Sequence, residues 1–519
     1  MVFSSSVFLL VFLPVVLALY YLTKKRSFRN GILFVASLFF YAWGEPVYVA
    51  LMLISVFGNW FLAVLLDNRK NSKVNHNSNA HAKLILILAI ILNLSVIGYF
   101  KYQAFFIENL NNLFNTNFAT VDLALPIGIS FYTLQALSYI IDVYKQKVRA
   151  QKNPIYLGMY IACFPQLVAG PIVRYSLIEE QILNRRESLK AFTSGSRLFC
   201  VGLAKKVLLA NTVAILATNM LGLGGAEIGA IGAWAGLLAF TFQIYFDFSG
   251  YSDMAIGLGK MFGFSYQRNF NYPYISKSAT EFWRRWHISL STFFRDYIYI
   301  PLGGSRVSTK RWVLNIALVW SLTGLWHGAA WNFVLWGIYF GVLLVLEKIF
   351  ISNLISSLPK IIQHAYGILV FMFGWLLFWI QDLNDLADYL ASMFGAFGFT
   401  GSSTVWELQA WSFIPVFIIC IIASTPIIPW LNSTFCSWVQ SLKRPDFSKT
   451  GLVNVKSLSS EAQCEFIMHL EDTKISSRAK KGVFLGVSAV ADFALLAMLL
   501  LSIAQIIAGS FNPFIYFRF

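Results

Sequence analysis

One histidine, His327, lies in the middle of a long apolar stretch (residues 321–332), with no carboxylate or cysteine within ten residues of it. An ionisable side chain at membrane depth is costly, and imidazole is well suited to taking up and returning a proton near neutral pH. The sequence therefore predicts that His327 acts as a general base on a substrate hydroxyl. The alternative is a structural histidine that hydrogen-bonds a neighbouring carbonyl and helps helices to pack.

A second histidine, His287, lies in a segment rich in arginine and tryptophan, residues 281–296. If this segment is one helix, Arg284, His287 and Ser291 share a face of it. Such a face, with Arg285 beside it, could bind an anionic donor such as coenzyme A through its phosphates. The alternative is a belt of arginine and tryptophan side chains that anchors the protein at the membrane surface.

Acidic residues near these arginines complete the set of candidate site residues. Asp253 lies in or beside an apolar stretch together with Asp247, and buried acids need partners. The expected partners are arginines, namely Arg268, Arg284 and Arg285. Structural ion pairing is favoured over catalysis for these acids, but Asp253 and Asp296 are expected to line the site or to help bind the donor.

The chain as a whole has the composition of a membrane protein that crosses the bilayer many times. Of its 519 residues, 57% are hydrophobic and only 12% are charged, whereas a soluble enzyme of this length is roughly 25% charged. The first apolar stretch, residues 7–21, lacks a basic segment before it and a cleavage site after it, so we interpret it as a retained span. The five scattered cysteines lack the spacing of disulfide frameworks or metal ligands, so no metal is expected.

The placement of basic residues predicts the topology. Connections rich in Lys and Arg alternate with connections that carry acids but no Lys or Arg: the former are 24–29, 69–83, 145–152, 174–206, 260–311 and 443–481, the latter 105–122 and 381–409. By the positive-inside rule, the basic connections face the cytoplasm and both termini lie outside. We predict an all-α protein of about 10–12 membrane helices with re-entrant segments, forming a single membrane domain over 1–519. The net charge of +16 thus reflects orientation rather than nucleic-acid binding.

Residues 260–311 are too polar to cross the membrane but are rich in aromatic side chains. We predict a re-entrant or interfacial structure that lines a cavity, the setting in which irregular backbone is tolerated at membrane depth. A helix that starts after Arg311 would place His327 about 24 Å from the basic face of a core about 30 Å thick. The core catalytic region is therefore expected within 260–347, and the polar insertion 437–481 is expected in the cytoplasm.

Several long motifs give the chain its family resemblance. They run in order along the sequence and are found at residues 125–132 (LPIGISFY), 164–172 (FPQLVAGPI), 246–253 (FDFSGYSD), 282–291 (FWRRWHISLS), 299–306 (YIPLGGSR) and 324–329 (GLWHGA). With these motifs the chain resembles the bacterial membrane-bound O-acyltransferase (MBOAT) family. Within that family it is most similar to alginate O-acetylation proteins and to peptidoglycan O-acetyltransferases. The resemblance covers nearly the whole chain, except for the insertion at 443–481.

The resemblance implies a site and a reaction. His327 matches the intramembrane catalytic histidine of the family, and His287 matches its second conserved polar position. The implied fold is a ring of helices around a thinned centre, with a funnel open to the outside and a passage to a cytoplasmic donor. The implied donor is acetyl-CoA, with no bound cofactor, and the implied partners are membrane lipid, a polysaccharide acceptor and a secreted or periplasmic acetyltransferase.

The C-terminal tail, residues 510–519, is aromatic and is expected outside the membrane. It resembles the tyrosine motif by which related cell-envelope systems pass an acyl group outward. A tyrosyl ester has a leaving group with a pKa of about 10, which makes it more reactive than an alkyl ester. Our hypothesis is therefore that Tyr516 acts as an acyl relay. The alternative is that the tail is an interfacial aromatic anchor.

The function expected from the sequence is transfer of an acetyl group across the bacterial inner membrane to an extracytoplasmic polysaccharide. Alginate or another exopolysaccharide is the first acceptor to consider, and peptidoglycan the second. Two alternatives from other classes are a proton-coupled transporter, with His327 as the relay, and a non-enzymatic scaffold for a secreted acetyltransferase. A transporter is expected to contain inverted repeats, and the sequence has no matching halves.

Overall fold

The computed structural model describes residues 1–71, 78–121, 123–168, 170–400, 410–431, 433–434 and 478–509. Within these ranges the regular structure is helical, without strands. The tail 510–519 with Tyr516, and the insertion 437–481 apart from the start of a helix at Arg478, lie outside the described residues, so the predictions made for them stay predictions.

The described part of the chain up to residue 261 folds into helices of very different lengths. Three π-helical turns adjoin these helices: Phe8–Phe12 precedes the first helix, and Gly98–Tyr102 and Lys205–Ala210 each join two consecutive helices. The helices are α1 (Leu13–Leu22), α2 (Arg26–Ala42), α3 (Tyr48–Asn71), α4 (Ser78–Ile97), α5 (Gln103–Phe114), α6 (Ile129–Tyr144), α7 (Pro154–Ala162), α8 (Phe164–Leu167), α9 (Tyr175–Asn184), α10 (Leu189–Ala204), α11 (Asn211–Leu221) and α12 (Gly225–Met261).

The remaining described residues begin with an irregular segment and continue with long helices. The irregular segment contains a short 3₁₀ turn (Pro273–Ile275) and a π-helical turn (Arg295–Tyr299), and a further π-helical turn (Glu347–Ile351) follows α16. The helices are α13 (Ala279–Arg285), α14 (Ile288–Phe294), α15 (Thr309–His327), α16 (Trp331–Leu346), α17 (Ser352–Ser357), α18 (Lys360–Trp379), α19 (Leu383–Met393), α20 (Ile414–Ala423) and α21 (Arg478–Ile507).

Seven of the described helices are long and apolar enough to cross a membrane: Tyr48–Arg69, Asn79–Phe114, Leu189–Leu221, Ala226–Met261, Trp331–Ser357, Lys360–Trp379 and Ala489–Ile507. Two shorter apolar helices, Phe8–Leu22 and Ile414–Ala423, accompany them. The all-α, multi-pass membrane architecture predicted from composition is therefore confirmed. Among the described residues the number of long helices is lower than 10–12, and buried helices such as α6 and α7, with 16 and 9 residues, are too short to be counted as spans.

The chain changes direction at two places in its first half. The chain turns between α2 and α3 at residues 43–47, and the segment 155–173 folds into the short buried helices α7 and α8. Connections that carry Lys or Arg follow α1, α6 and α12, whereas the connection 115–128 after α5 carries no base. The connections after α1 and α12 meet at Glu187, and we call this side of the protein the basic face.

Helices α15 and α16 cross at unusually close range just before His327. Gly324 lies against the Phe333 carbonyl and Gly337 lies against the Trp320 carbonyl, and a Cβ added at either glycine would clash with that oxygen. Helices in membranes pack closely where small residues let the backbones approach. This crossing fixes the end of α15 against the start of α16, and with it the position of His327.

On the basic face, Glu187 joins three arginines and a tyrosine. Its carboxylate pairs with Arg26 and with Arg29, the latter at 2.8 Å, and accepts a hydrogen bond from the Tyr20 hydroxyl. Arg185 donates to Tyr20 and to the Phe262 carbonyl. Burial by itself raises the pKa of Glu187, but the hydrogen bonds from Arg26 and Tyr20 outweigh it and hold the pKa at about 2. The network connects α1 and α2 to the start of the irregular segment.

We expect Glu187→Gln to lower the thermal unfolding temperature at pH 7 and to have little effect at pH 2. The folded-state pKa of Glu187 lies below its ordinary value of 4.5, so its charge stabilises the fold at neutral pH. That contribution is lost as the pH falls from about 4.5 towards 2. Unfolding of the detergent-solubilised protein, followed by circular dichroism across this range, measures the difference between the two proteins. Glu180→Gln, on the exposed side of α9, is the matched control, and an equal effect of both variants would contradict the prediction.

Candidate active site

His327 is the last residue of α15 and is enclosed by aromatic rings. Its imidazole meets the rings of Trp326, Trp336 and Phe378 edge to face, with centroids 4.9, 4.9 and 5.2 Å apart. Only 5% of the residue is exposed. The chain leaves the helix at Gly328 and starts α16 at Trp331. The histidine is therefore fixed at a helix end inside the protein, as expected of a residue with a defined chemical task.

His287 lies at a break between α13 and α14, not within a helix. Its backbone adopts the left-handed conformation (φ 44°, ψ 52°), which is uncommon for a residue with a side chain. The prediction that Arg284, His287 and Ser291 share one helical face is therefore wrong. The break turns His287 into the protein, where its residue exposure is 0%, and leaves Arg284 exposed. Strained backbone of this kind persists where surrounding contacts hold it, often at functional sites.

The start of α13, which leads to this break, is held by a buried carboxylate. Glu347 accepts hydrogen bonds from the backbone N–H groups of Ala279 and Thr280, at 2.6 and 2.9 Å, and from the Thr280 hydroxyl. The Tyr366 hydroxyl donates to the same carboxylate. A negative charge at a helix N-terminus satisfies N–H groups that have no partner inside the helix. Glu347 thus connects the end of α16 to the segment that carries His287.

Asn269 sets the tautomer of His287. The Oδ1 of Asn269 accepts hydrogen bonds from the backbone N–H and the hydroxyl of Ser289, at 3.1 and 2.9 Å. A backbone N–H can only donate, so the Asn269 atom that faces it is the oxygen, and the His287 Nδ1 at 3.2 Å must donate its proton to it. In the neutral ring, Nε2 then carries the lone pair. Among the described residues, Nε2 has no hydrogen-bond partner.

Trp326 lies between the two histidines. Its ring contacts His327 with a centroid distance of 4.9 Å and His287 with a centroid distance of 5.9 Å. Its indole N–H points to the Ser130 carbonyl on α6, at 3.4 Å. The irregular segment that begins on the basic face thus reaches inward to within one side chain of His327.

A small cavity of about 70 Å³ lies beside His327. Its wall includes Lys101, the start of α6, Trp326 and His327. The adjoining wall is the loop Leu125 to Gly128, which leads from the base-poor connection into α6. The cavity therefore lies beside a connection that carries no base, and it offers a small polar group contact with His327.

The acids predicted near the site have other partners than expected. Asp253 pairs with Lys205 at 2.6 Å, and Asp247 pairs with Lys206 at 2.7 Å. The prediction of arginine partners is wrong because α10 packs along α12 and the π-helical turn that follows α10 directs two successive lysines at α12. Within the described part of the chain, Asp253 does not line the cavity beside His327. The structure thus favours structural ion pairing for both acids.

The other three predicted site residues lie on the basic side of the protein. Asp296 pairs with Arg174 at 2.8 Å and with Arg295 at 2.7 Å. Arg285 pairs with Glu281 at 2.9 Å, four residues earlier on α13. Arg284, Arg285 and Asp296 are not among the described residues that line the cavity, so their expected role as site-lining residues is not supported there. A role in donor binding from the basic face stays a prediction.

Two residues of this site were missed by sequence reasoning. Lys101 lies within the long apolar helix Asn79–Phe114, and it lines the cavity with His327. The rule that singles out His327, an ionisable side chain at membrane depth, would have found it. Asn269 had no comparable signal, because an asparagine in a polar segment is common and its contact with His287 depends on the fold.

These features define a multi-pass membrane protein, helical over its described residues, in which two buried histidines meet across a tryptophan next to a small cavity. The chain belongs to the membrane-bound O-acyltransferase family: the model of the MBOAT family, described as membrane-bound O-acyltransferase, matches residues 35–386. It is therefore an acyltransferase, and the enzymatic interpretation is confirmed over the transporter and scaffold alternatives.

The chain is similar to named relatives over most or all of its length. It is 36% identical to a probable alginate O-acetylase of Pseudomonas putida over 523 aligned residues, which cover 100% of both chains. It is 42% identical to a probable alginate O-acetylase of Pseudomonas aeruginosa over 79% of this chain and 76% of that protein. It is 35% identical to a peptidoglycan O-acetyltransferase of Helicobacter pylori over 77% of this chain and 80% of that protein.

Proposed function

We propose that this acyltransferase moves an acetyl group from a cytoplasmic thioester, acetyl-CoA, to a hydroxyl group on the outer side of the bacterial inner membrane. The observation that carries the proposal is the meeting of His287 and His327 across Trp326. His287 belongs to the segment that carries Arg284 and Arg285, and His327 borders a cavity beside the connection 115–128, which carries no base. With the basic connections in the cytoplasm, an acyl group has only a short distance to cross.

In the proposed chemistry, His327 accepts and then returns the proton of the acceptor hydroxyl. The neutral imidazole accepts the proton of the acceptor hydroxyl while its oxygen attacks the acetyl carbonyl carbon. A C–O bond forms and the carbonyl electron pair moves onto oxygen. Collapse of this intermediate breaks the C–S bond and releases the thiolate, which takes the proton back from the imidazolium. General-base assistance of this kind contributes about 10²–10⁴ to a rate.

His287 is proposed to hold the donor on the cytoplasmic side. Its Nδ1 donates to Asn269, so Nε2 is the nitrogen available to accept a hydrogen bond. A thioester arm that passes the irregular segment would meet this nitrogen before it reaches His327. The arginines of that segment, Arg284 and Arg285, are proposed to attract the donor's phosphates from the cytoplasm.

The acceptor is proposed to be an extracytoplasmic polysaccharide. The relatives from Pseudomonas are named for alginate and the relative from Helicobacter pylori for peptidoglycan. Because the match to the alginate relatives includes the full chain of one of them, an alginate-like exopolysaccharide is the first proposal and peptidoglycan the second. A secreted or periplasmic acetyltransferase is the proposed partner that completes transfer to the polymer.

We expect Tyr516→Phe to abolish polymer acetylation if the tail carries the acyl group, because phenylalanine has no oxygen to form the ester. The acetyl content of secreted polymer, measured by mass spectrometry in cells that express the wild type or the variant at equal levels, gives the answer. Tyr516→Phe keeps the ring and therefore keeps any anchoring role of the tail. Full acetylation by the variant would rule out a covalent role for Tyr516 and would favour direct transfer. Phe517→Leu, next to it in the tail, is the control for the aromatic anchor.

A further inference from the structure

The end of helix α15, which carries His327, receives its hydrogen bonds from another helix. The last four carbonyl groups of an α-helix have no partner within the helix. At the end of α15 the first of these, Gly324, accepts from the backbone N–H of Gly328. The next three need donors from elsewhere, because buried carbonyl groups in folded proteins are almost always paired.

Two adjacent side chains supply those donors. The Tyr102 hydroxyl donates to the Leu325 carbonyl at 2.6 Å. The Lys101 ammonium donates to the Trp326 carbonyl at 2.7 Å and to the His327 carbonyl at 3.0 Å. All four terminal carbonyls of the histidine-bearing helix are thus satisfied, three of them by residues 101 and 102.

Lys101 and Tyr102 lie in the π-helical turn Gly98–Tyr102, between α4 and α5. A π-helical turn holds one residue more than the α-helical turn it replaces, so it changes the direction of the side chains around it, and such turns are frequent at functional sites. Here the turn directs two successive polar side chains at one helix end. A positive charge at a helix C-terminus also interacts favourably with the helix dipole.

Lys101 also faces the cavity beside His327. Its third possible contact is the Ser130 hydroxyl at 3.4 Å, on the wall formed by the start of α6. Keeping an ammonium group inside an apolar helix of 36 residues is costly, and a purely structural contact could be made by a neutral side chain. The cost is understandable if the position of His327 relative to the cavity depends on this contact.

We propose that Lys101 and Tyr102 are positioning residues for acyl transfer, which act through the backbone of the catalytic histidine. By holding the carbonyls of residues 325–327, they fix the end of α15 and so orient the His327 imidazole towards the acceptor hydroxyl. This inference rests on the role proposed for His327. Positioning affects the rate of the chemical step more than the binding of the donor, because a misplacement of about 1 Å can cost a factor of about 10².

The test compares kcat and KM for the thioester donor in purified, reconstituted protein. Lys101→Met, which keeps the length but removes the charge and all donors, is expected to lower kcat by about 10–100-fold while KM stays within about two-fold of the wild type. Tyr102→Phe is expected to lower kcat by about five-fold, the effect of one neutral hydrogen bond. Lys101→Arg, which keeps charge and donors, is expected to restore part of the rate lost in Lys101→Met.

Tyr389→Phe is the matched control. Tyr389 also donates from a buried hydroxyl to a backbone carbonyl, that of Ala233, at 2.7 Å, but on a different pair of helices. It is expected to keep the wild-type kcat. A wild-type kcat in Lys101→Met, or an equal loss in Tyr102→Phe and Tyr389→Phe, would overturn the proposal. If Lys101→Met does not fold, Tyr102→Phe and Lys101→Arg decide it, and a rise in KM without a fall in kcat in both would also overturn it.

His327→Ala measured in the same assay separates this inference from the proposed function. If His327→Ala is inactive and Lys101→Met is fully active, only the positioning role fails. If His327→Ala transfers acetyl at the wild-type rate, the proposed function itself fails.

Discussion

His327→Ala is expected to lower the rate of acetyl transfer by a factor of about 10²–10⁴, with normal folding. The loss follows because alanine removes the one group proposed to accept the proton of the attacking hydroxyl. The rings of Trp326, Trp336 and Phe378, which pack around His327 in the wild type, are unchanged in the variant. A single-turnover measurement with labelled donor in reconstituted vesicles isolates the transfer step, and thermal unfolding checks that the variant is folded.

His364→Ala is the matched control for this variant. His364 lies on α18, is partly exposed and makes none of the ring contacts of His327 described above. It is expected to keep the wild-type rate. Equal rates in His327→Ala and in the wild type, at equal protein levels, would show that His327 has a structural role.

His287→Ala is expected to lower turnover by about 10² or more, in line with the loss of a positioned hydrogen-bonding group at the donor. Asn269→Ala is expected to have a smaller effect, since it leaves the imidazole in place but removes the acceptor that fixes its tautomer. Because Asn269 acts through His287, the two effects are not expected to add in the double variant. A double-mutant cycle on kcat/KM for the donor measures this coupling.

Asn30→Ala serves as the control for loss of a buried asparagine. Asn30 is also fully buried and donates to a backbone carbonyl, that of Ile182, at 2.9 Å. It should lower stability without changing kcat/KM. Additive effects of His287→Ala and Asn269→Ala on kcat/KM would contradict the role assigned to Asn269.

The features that could be predicted from the sequence follow from local rules. The all-α, multi-pass architecture follows from the apolar composition, and the seven long apolar helices confirm it. The depth of His327 follows from the rise per residue and the sides of the connections follow from the positive-inside rule, and both stay predictions. These rules need no knowledge of which helices pack together.

The errors concern features that depend on tertiary packing. The helical periodicity of residues 281–296 predicted a continuous face, but Asn269 and Ser289 hold His287 at a break that no local signal marks. The partner of Asp253 is Lys205, 48 residues earlier, and this pair forms only because α10 packs along α12. Contacts between residues so far apart in the chain cannot be deduced from charge alone.

The central claim is that an acetyl group crosses the membrane at His327. Sealed inside-out vesicles test it directly, with labelled acetyl thioester added outside, where the basic face is exposed, and a soluble hydroxyl acceptor enclosed in the lumen. The wild type is expected to label the enclosed acceptor, and His327→Ala is expected to leave the label on the donor. Equal labelling of the enclosed acceptor by both proteins would contradict the account.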